Sequence, residues 1–252
     1  MEDIQALIQK LDWDTPAAEQ AEAIQTLQDI RDEELHLLLQ PLGKEYWDGA
    51  AEVIVKLGYP RVKPILPGLL EWVQDMNWPG ARRIAPFLRE IGDPLIPYIQ
   101  EVFRNQSQDE DWMYWIFEVI LDHWNSEQIA QLQEELIRLT EGGTIGLKAL
   151  RILWVHQIYT AEAVQLLLED KKQRALAEIV ELDNAHPVID CEALERGFSE
   201  VSAQFGLSKA YMEQHREEFS FCYRKSSLHD LVSEIGELIS ECMGPGHAPA
   251  RE

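Results

Sequence analysis

Residues 81–103 read ARRIAPFLREIGDPLIPYIQEVF, an apolar helix, a tight Gly-Asp-Pro turn and a second apolar helix. One unit upstream, residues 50–73 read AAEVIVKLGYPRVKPILPGLLEWV. Gly58 and Gly92 lie 34 residues apart, and so do Pro60 and Pro94, so the turn and the start of the second helix recur together. A single hairpin of this kind cannot bury its apolar face alone. Stacked neighbours must supply the core, which is the logic of a repeat array.

Looser copies extend the pattern: AEAIQTLQDIRDEELHLLLQ at 21–40, YWIFEVILDHWNSEQIAQLQEEL at 114–136, with Trp124 where Gly92 stood, and LKALRILWVHQIYTAEAVQLLLED at 147–170. Thr15 before Pro16 predicts a helix start running towards Ile30, and Asp32 to Gln40 a second helix ended by Pro41 and Gly43. Helices are then expected at 45–57, 61–76, 79–91, 94–105, 110–124, 126–140, 144–158 and 160–170. Pro60, Pro79 and Pro94 fall near helix starts, whereas Pro64, Pro67, Pro86 and Pro97 fall inside apolar periodicity and should bend or locally break their helices. The expected fold is all-α: a curved, HEAT-like helical-hairpin solenoid over residues 1–170, a C-terminal helical cap over 171–243 and a flexible tail over 244–252. In the cap, helices are expected at Asp190–Phe205, Ser208–Arg224 and Ser227–Met243, with Ser208 and Ser227 as caps and Gly206 as a breaker.

The chain has 252 residues, 22 Lys plus Arg and 45 Asp plus Glu, for a net charge of −23. Such a surface repels phosphate backbones and anionic membrane and favours basic proteins or peptides; solubility alone would also account for it. Cys191, Cys222 and Cys242 are odd in number and without CxxC spacing, so no disulfide framework is indicated. With no signal-like N-terminus and no membrane-length apolar run, the expected location is a reducing cytoplasm.

Leu69–Pro79 reads LLEWVQDMNWP, preceded by GYPRVKPILPG and followed by DEDWMYW at 109–115. Together these segments resemble a bacterial family, domain of unknown function 5071, over roughly Lys44 to Thr140. The resemblance implies a HEAT-like helical fold, bacterial origin and no established activity. The ~34-residue period matches tetratricopeptide length. The W-LG-Y pattern of that repeat is not in register, however, and the Gly and Pro markers sit in the turn within each hairpin.

Two constellations are candidate partner-binding sites. Asp111, Glu118 and Asp122 fall within ~40° of one another on a helix, flanked by Tyr114 and Trp115. Carboxylates beside aromatic rings suit a Lys or Arg through charge pairing and cation–π contact; the alternative is rings packed on a neighbouring repeat. Glu71, Asp75, Asn77 and Trp78 form a second corner, where the Trp before Pro79 either wedges between repeats or faces a ligand. Trp72 is core by its spacing from Ile65.

No residue is singled out as catalytic, and no metal or cofactor is expected. His215, Cys222 and His229 recur every seven residues, but Ser226 and Ser227 should break that helix. Gly142, Gly143 and Gly146 follow no strand and read as a hairpin turn. Two functions are consistent with these features: a non-enzymatic protein-binding scaffold for a basic bacterial protein, with an immunity-like role as one form of it, or a small-molecule lyase or other enzyme on a HEAT-like scaffold. A broad groove favours the first and a deep pocket of converging ionisable groups the second.

Overall fold

A computed structural model describes residues 3–186 and 188–244. Among these residues every regular element is helical, and no helix is long and apolar enough to cross a membrane. The chain divides into two compact units between Ile158 and Tyr159. Apart from Gly244, the tail expected from residue 244 lies outside the described residues.

The first unit contains α1 (Ile4–Gln9), α2 (Ala17–Thr26), α3 (Lys44–Leu57), α4 (Leu66–Glu71), α5 (Ala81–Ile91), α6 (Ile96–Asn105), α7 (Glu110–Val119), α8 (Ser126–Ala130), α9 (Gln133–Leu139) and α10 (Thr144–Val155). Helix α3 packs on α5, α5 on α7 and α7 on α10, while α4 packs on α6 and α6 on α9. First and second helices of successive hairpins therefore form two layers. In α5 the buried residues Ala81, Ile84, Ala85 and Leu88 follow one helical face, which is the stripe that the neighbouring hairpins cover.

Backbone chemistry explains why the hairpins repeat. Gly58 and Gly92 end α3 and α5 with φ of 69° and 68°, a region that side chains disfavour. Pro94 then starts a short 3-10 turn at Asp93–Leu95, where its missing N–H is harmless. Gly80, at φ 83°, precedes α5 in the same left-handed region, and a Cβ there would also come within 2.8 Å of the Ala51 Cβ. Buried indoles link successive units. Trp72 donates to the Pro79 carbonyl at 2.8 Å, Trp112 to that of Leu70 at 3.0 Å and Trp124 to that of Arg89 at 3.1 Å. Each ring thereby buries its apolar body and still satisfies its N–H.

Several local expectations are corrected. Pro64, Pro67 and Pro97 sit in the first turns of helical segments, and the helix expected at 61–76 is divided into a 3-10 turn at Lys63–Ile65, α4 and a second 3-10 turn at Trp72–Gln74. Pro86 is inside α5, yet the helix continues, with Pro86 and Arg82 on its exposed side where water can satisfy the freed carbonyl. Thr15 does not cap α2; Pro16 occupies the cap position and no side chain bonds there. Residues 32–38 form a 3-10 helix, and 110–124 and 126–140 each break into shorter pieces.

The second unit contains α11 (Ala161–Ala185), α12 (Cys191–Val201), α13 (Phe205–Gln214) and α14 (Arg216–Met243). Helix α11 runs without a break through residue 170, so the helix expected at 160–170 is only its first part. Helices α11 and α14 pair extensively, with Ala175, Ile179 and Leu228 buried between them. Asp190 caps α12 by accepting from the Ala193 N–H, but Ser208 and Ser227 lie inside helices and cap nothing. Gly206 is inside α13, and α14 passes through Ser226 and Ser227, where a break was expected. Ser226 is exposed and Ser227 half-buried, and such a pair in a long helix costs mainly propensity, which packing on α11 overrides.

Cys191 and Cys222 form a disulfide with Cα atoms 5.6 Å apart, and Cys242 is a buried cysteine outside that bond. That overturns the reading in which no disulfide was indicated, and removes the unpaired cysteines as a reason for a reducing compartment. The pairing joins residues 31 apart on two helices, a juxtaposition that no linear spacing rule contains.

Candidate functional site: the groove between α4 and α6

The second-helix layer carries a groove of about 190 Å³ between α4 and α6, and Glu71, Tyr98, Glu101 and Asn105 supply its polar groups. Its apolar wall comes from Pro67, Leu70, Val102 and the Trp112 ring. Helical geometry accounts for the polar groups: Tyr98, Glu101 and Asn105 follow at three- and four-residue steps on α6, while Ile99, Val102 and Phe103 turn to the core. Neither the Glu71 nor the Glu101 carboxylate has an ion pair or hydrogen bond among the described residues, and both residues are exposed. Both carboxylates therefore line the groove beside the Tyr98 and Trp112 rings without a cation of their own.

Tyr98 also belongs to a second cleft of about 560 Å³, lined by Asp32, Pro60, Arg61, Lys63 and Pro64. Arg61 is already engaged there by the Gln28 and Ile30 carbonyls and by Asp32 at 3.5 Å, whereas Lys63 is exposed. The two hollows meet at one tyrosine; the larger carries Arg61, Lys63 and Asp32, and the smaller carries carboxylates without a Lys or Arg.

The neighbouring junction, between α6 and α9, is closed. Arg104 reaches across to Glu135, which also pairs with Arg138 at 3.4 Å, and Gln100 donates to the Gln131 carbonyl at 2.9 Å. Glu135 is only 2 % exposed and needs those partners, because a buried carboxylate without them would be costly.

The structure divides the sequence-derived candidates. Of the corner residues, Glu71 lines the groove and Asn77 is exposed, while Asp75 accepts from the Asn77 backbone N–H at 2.8 Å and so shapes the turn. Trp78 lies edge-on to Trp47 at 5.5 Å, and Trp47 in turn meets Trp72 at 6.3 Å. Lys44 stands 5.6 Å from the Trp78 ring centre and 5.8 Å from that of Trp47. Trp78 is thus half-buried in an aromatic cluster that has its own cation. Trp72 is fully buried.

On α7, Asp111 is exposed, but the rest of the stripe is largely answered from within. Lys148 of α10 pairs with Glu118 and sits 4.3 Å from the centre of the Tyr114 ring, which meets Trp115 edge-on at 5.0 Å. The contact expected with a foreign cation is made here by the chain's own lysine. Asp122 lies beyond the end of α7, in the 3-10 turn at Leu121–His123. Partial burial first, and then Glu118, hold its carboxyl above the usual carboxylate range against the pull of Lys148 and Arg151.

The residues that sequence reasoning missed are Tyr98, Glu101, Lys63 and Lys148. Tyr98 stands 34 residues after Pro64, so projecting the repeat onto its second-helix face would have found the groove's centre. The Lys148–Glu118 contact joins separate hairpins, and no local signal points to it.

Other chemistry finds little support. No group of three His, Cys, Asp or Glu among the described residues could hold a metal ion. Of the heptad trio, Cys222 is in the disulfide and His215 stacks on Tyr211 at 4.5 Å. Ser126 Oγ lies 3.0 Å from His156 Nδ1, and burial pulls that imidazole below its ordinary value. No carboxylate among the described residues orients the ring, as a nucleophile's base would require.

No curated protein and no solved structure matches the chain. A family profile does match residues 39–146, the span that contains the groove, Glu71 and Asp111, and its description is Domain of unknown function (DUF5071). Over those residues, somewhat under half of the chain, the sequence is similar to that family, and the match includes LLEWVQDMNWP and its neighbouring segments.

Proposed function

We propose that this protein is a non-enzymatic binding scaffold, a HEAT-like array of hairpins with a C-terminal helical cap, whose acidic repeat surface takes a basic protein or peptide. An immunity-like role, in which the scaffold occludes a basic bacterial protein, fits this reading. The observation that carries it is the open junction between α4 and α6, where Glu71 and Glu101 line a groove without any cation of their own. Like charges sharing a half-enclosed groove repel each other, and an incoming guanidinium or ammonium relieves that repulsion. Tyr98 supplies a ring for the stem or face of the same side chain, and exposed Asp111 adds to the field.

The net charge of −23 extends this attraction beyond contact distance and raises the association rate, an effect that salt screens over ~8 Å at physiological ionic strength. The test is fluorescence anisotropy with labelled arginine-rich peptides and with citrulline-substituted counterparts, at low and high salt. Binding that requires arginine, weakens with salt and is lost in Glu71→Lys/Glu101→Lys is expected. Failure to bind any cationic peptide, or binding indifferent to both salt and charge reversal, would leave the acidity as a solubility device.

A further inference from the structure

We propose that the Cys191–Cys222 disulfide is a redox latch, which holds the α12–α13 hairpin against α14 when oxidised and releases it when reduced by an external dithiol. The bond joins the first residue of α12 to the second turn of α14, enclosing both short helices. Little else secures them. Helix α12 buries only Leu194, and α13 buries no residue at all. Their attachment is a small aromatic cluster, with Phe198 edge-on to Phe219 at 5.8 Å and Tyr211 6.2 Å from Phe219. The Tyr211 hydroxyl adds one long hydrogen bond to the Leu194 carbonyl, at 3.4 Å.

The rest of the unit does not depend on the bond. Helices α11 and α14 bury Ala175, Ile179 and Leu228 together, and Arg224–Glu178 and Lys225–Asp183 pairs tie them beyond residue 222. Reduction therefore has a local consequence available to it, because an element with few buried apolar contacts opens more readily than the core beside it. Both cysteines are half-exposed, so a thiolate can reach them.

The chemistry is thiol–disulfide exchange. One thiolate of the dithiol attacks a sulfur of the pair, forming a mixed disulfide, and the other sulfur leaves with the bonding electrons and takes a proton. The second thiol, as its thiolate, then attacks the mixed disulfide and closes the reductant's own disulfide. The remaining cysteine leaves and is protonated in turn, so two electrons and two protons reach the protein. Cys242 does not intercept this exchange, being buried and about 30 Å farther along the same helix from Cys222. Release also dismantles a hollow of about 360 Å³ that Phe205, Met212, Arg216 and Phe219 form between α13 and the start of α14. A surface assembled in the oxidised protein is thereby lost in the reduced one.

The test is amide hydrogen exchange by mass spectrometry on the full chain, oxidised and after native-state treatment with dithiothreitol, with alkylation confirming reduction of Cys191 and Cys222. Exchange in 194–214 is expected to quicken by about tenfold or more, while α5, α6 and 226–240 stay within about twofold. Reoxidation should restore protection, Cys191→Ser/Cys222→Ser should match the reduced protein without reductant, and Cys242→Ser should respond as the wild type does. Unchanged exchange after complete reduction would overturn the latch. So would a bond that yields only on unfolding, or loss of protection throughout α11 and α14. Should the double variant fail to fold, reduction and reoxidation of the wild-type chain decide alone.

Discussion

Helix α6 meets its two neighbours by different chemistry. Towards α9 the junction is polar and sealed, with Arg104 reaching Glu135 and Gln100 bonded to the Gln131 carbonyl. Towards α4 it is apolar underneath, where the Trp112 indole bonds the Leu70 carbonyl, and open above, where Glu71 and Glu101 line the groove unpaired. One face of one helix is thus spent on cohesion and the other is left available. The presence of a glutamate does not distinguish them, since both junctions have one; the difference is whether the chain supplies the cation.

The largest effect should come from a buried indole of the same repeat array. Trp72→Ala is expected to lower stability by ~3–5 kcal/mol, because a wholly buried ring and its bond to Pro79 are both lost. Trp115→Ala, which removes a half-buried ring, should lower it by clearly less. Urea denaturation with matching slopes checks the order, and equal midpoints would contradict it.

Next is the sealed side. Glu135→Gln should lower stability by about 1–3 kcal/mol, because a charge-assisted pair with Arg104 is lost at a buried position. Glu101→Gln should change stability by no more than about 0.5 kcal/mol, since that carboxylate has no partner to lose. Comparable losses in the two variants would erase the contrast between the junctions.

The smallest effect is at Asp122, whose folded carboxyl titrates above its ordinary value of 3.8. A raised folded value means that Asp122 favours the fold while protonated and that this contribution is lost as pH rises through the folded value. Asp122→Asn should therefore be slightly more stable than the wild type at neutral pH, with the gap closing on acidification towards 3.8 and below. Paired thermal melts across that range check it, and a gap that grows on acidification would show the sign to be wrong.

Much of the first unit was legible because its signals are local. Gly58, Gly92, Pro60 and Pro94 mark turns through backbone geometry, and Ile84 and Leu88 mark a buried face through helical spacing. Glu71 and Asp111 were legible as acidic and are exposed. Their companions were not: Tyr98 and Glu101 are unremarkable in the α6 stripe until α4 is packed beside it.

By itself, then, the sequence determined an all-helical chain, its repeated hairpin turns, the burial of Trp72 and a strongly acidic surface, since all of these depend on residues within a few positions or on composition. The tertiary structure alone decided which carboxylates are answered: Lys148 neutralises Glu118, Arg104 seals Glu135, and Glu71 and Glu101 are left facing a groove. It alone also joined Cys191 to Cys222 and carried α14 unbroken past Ser227. Each of these depends on groups about 30 residues or more apart in sequence being brought within contact distance, or on packing that overrides local propensity, and neither can be read from neighbouring residues.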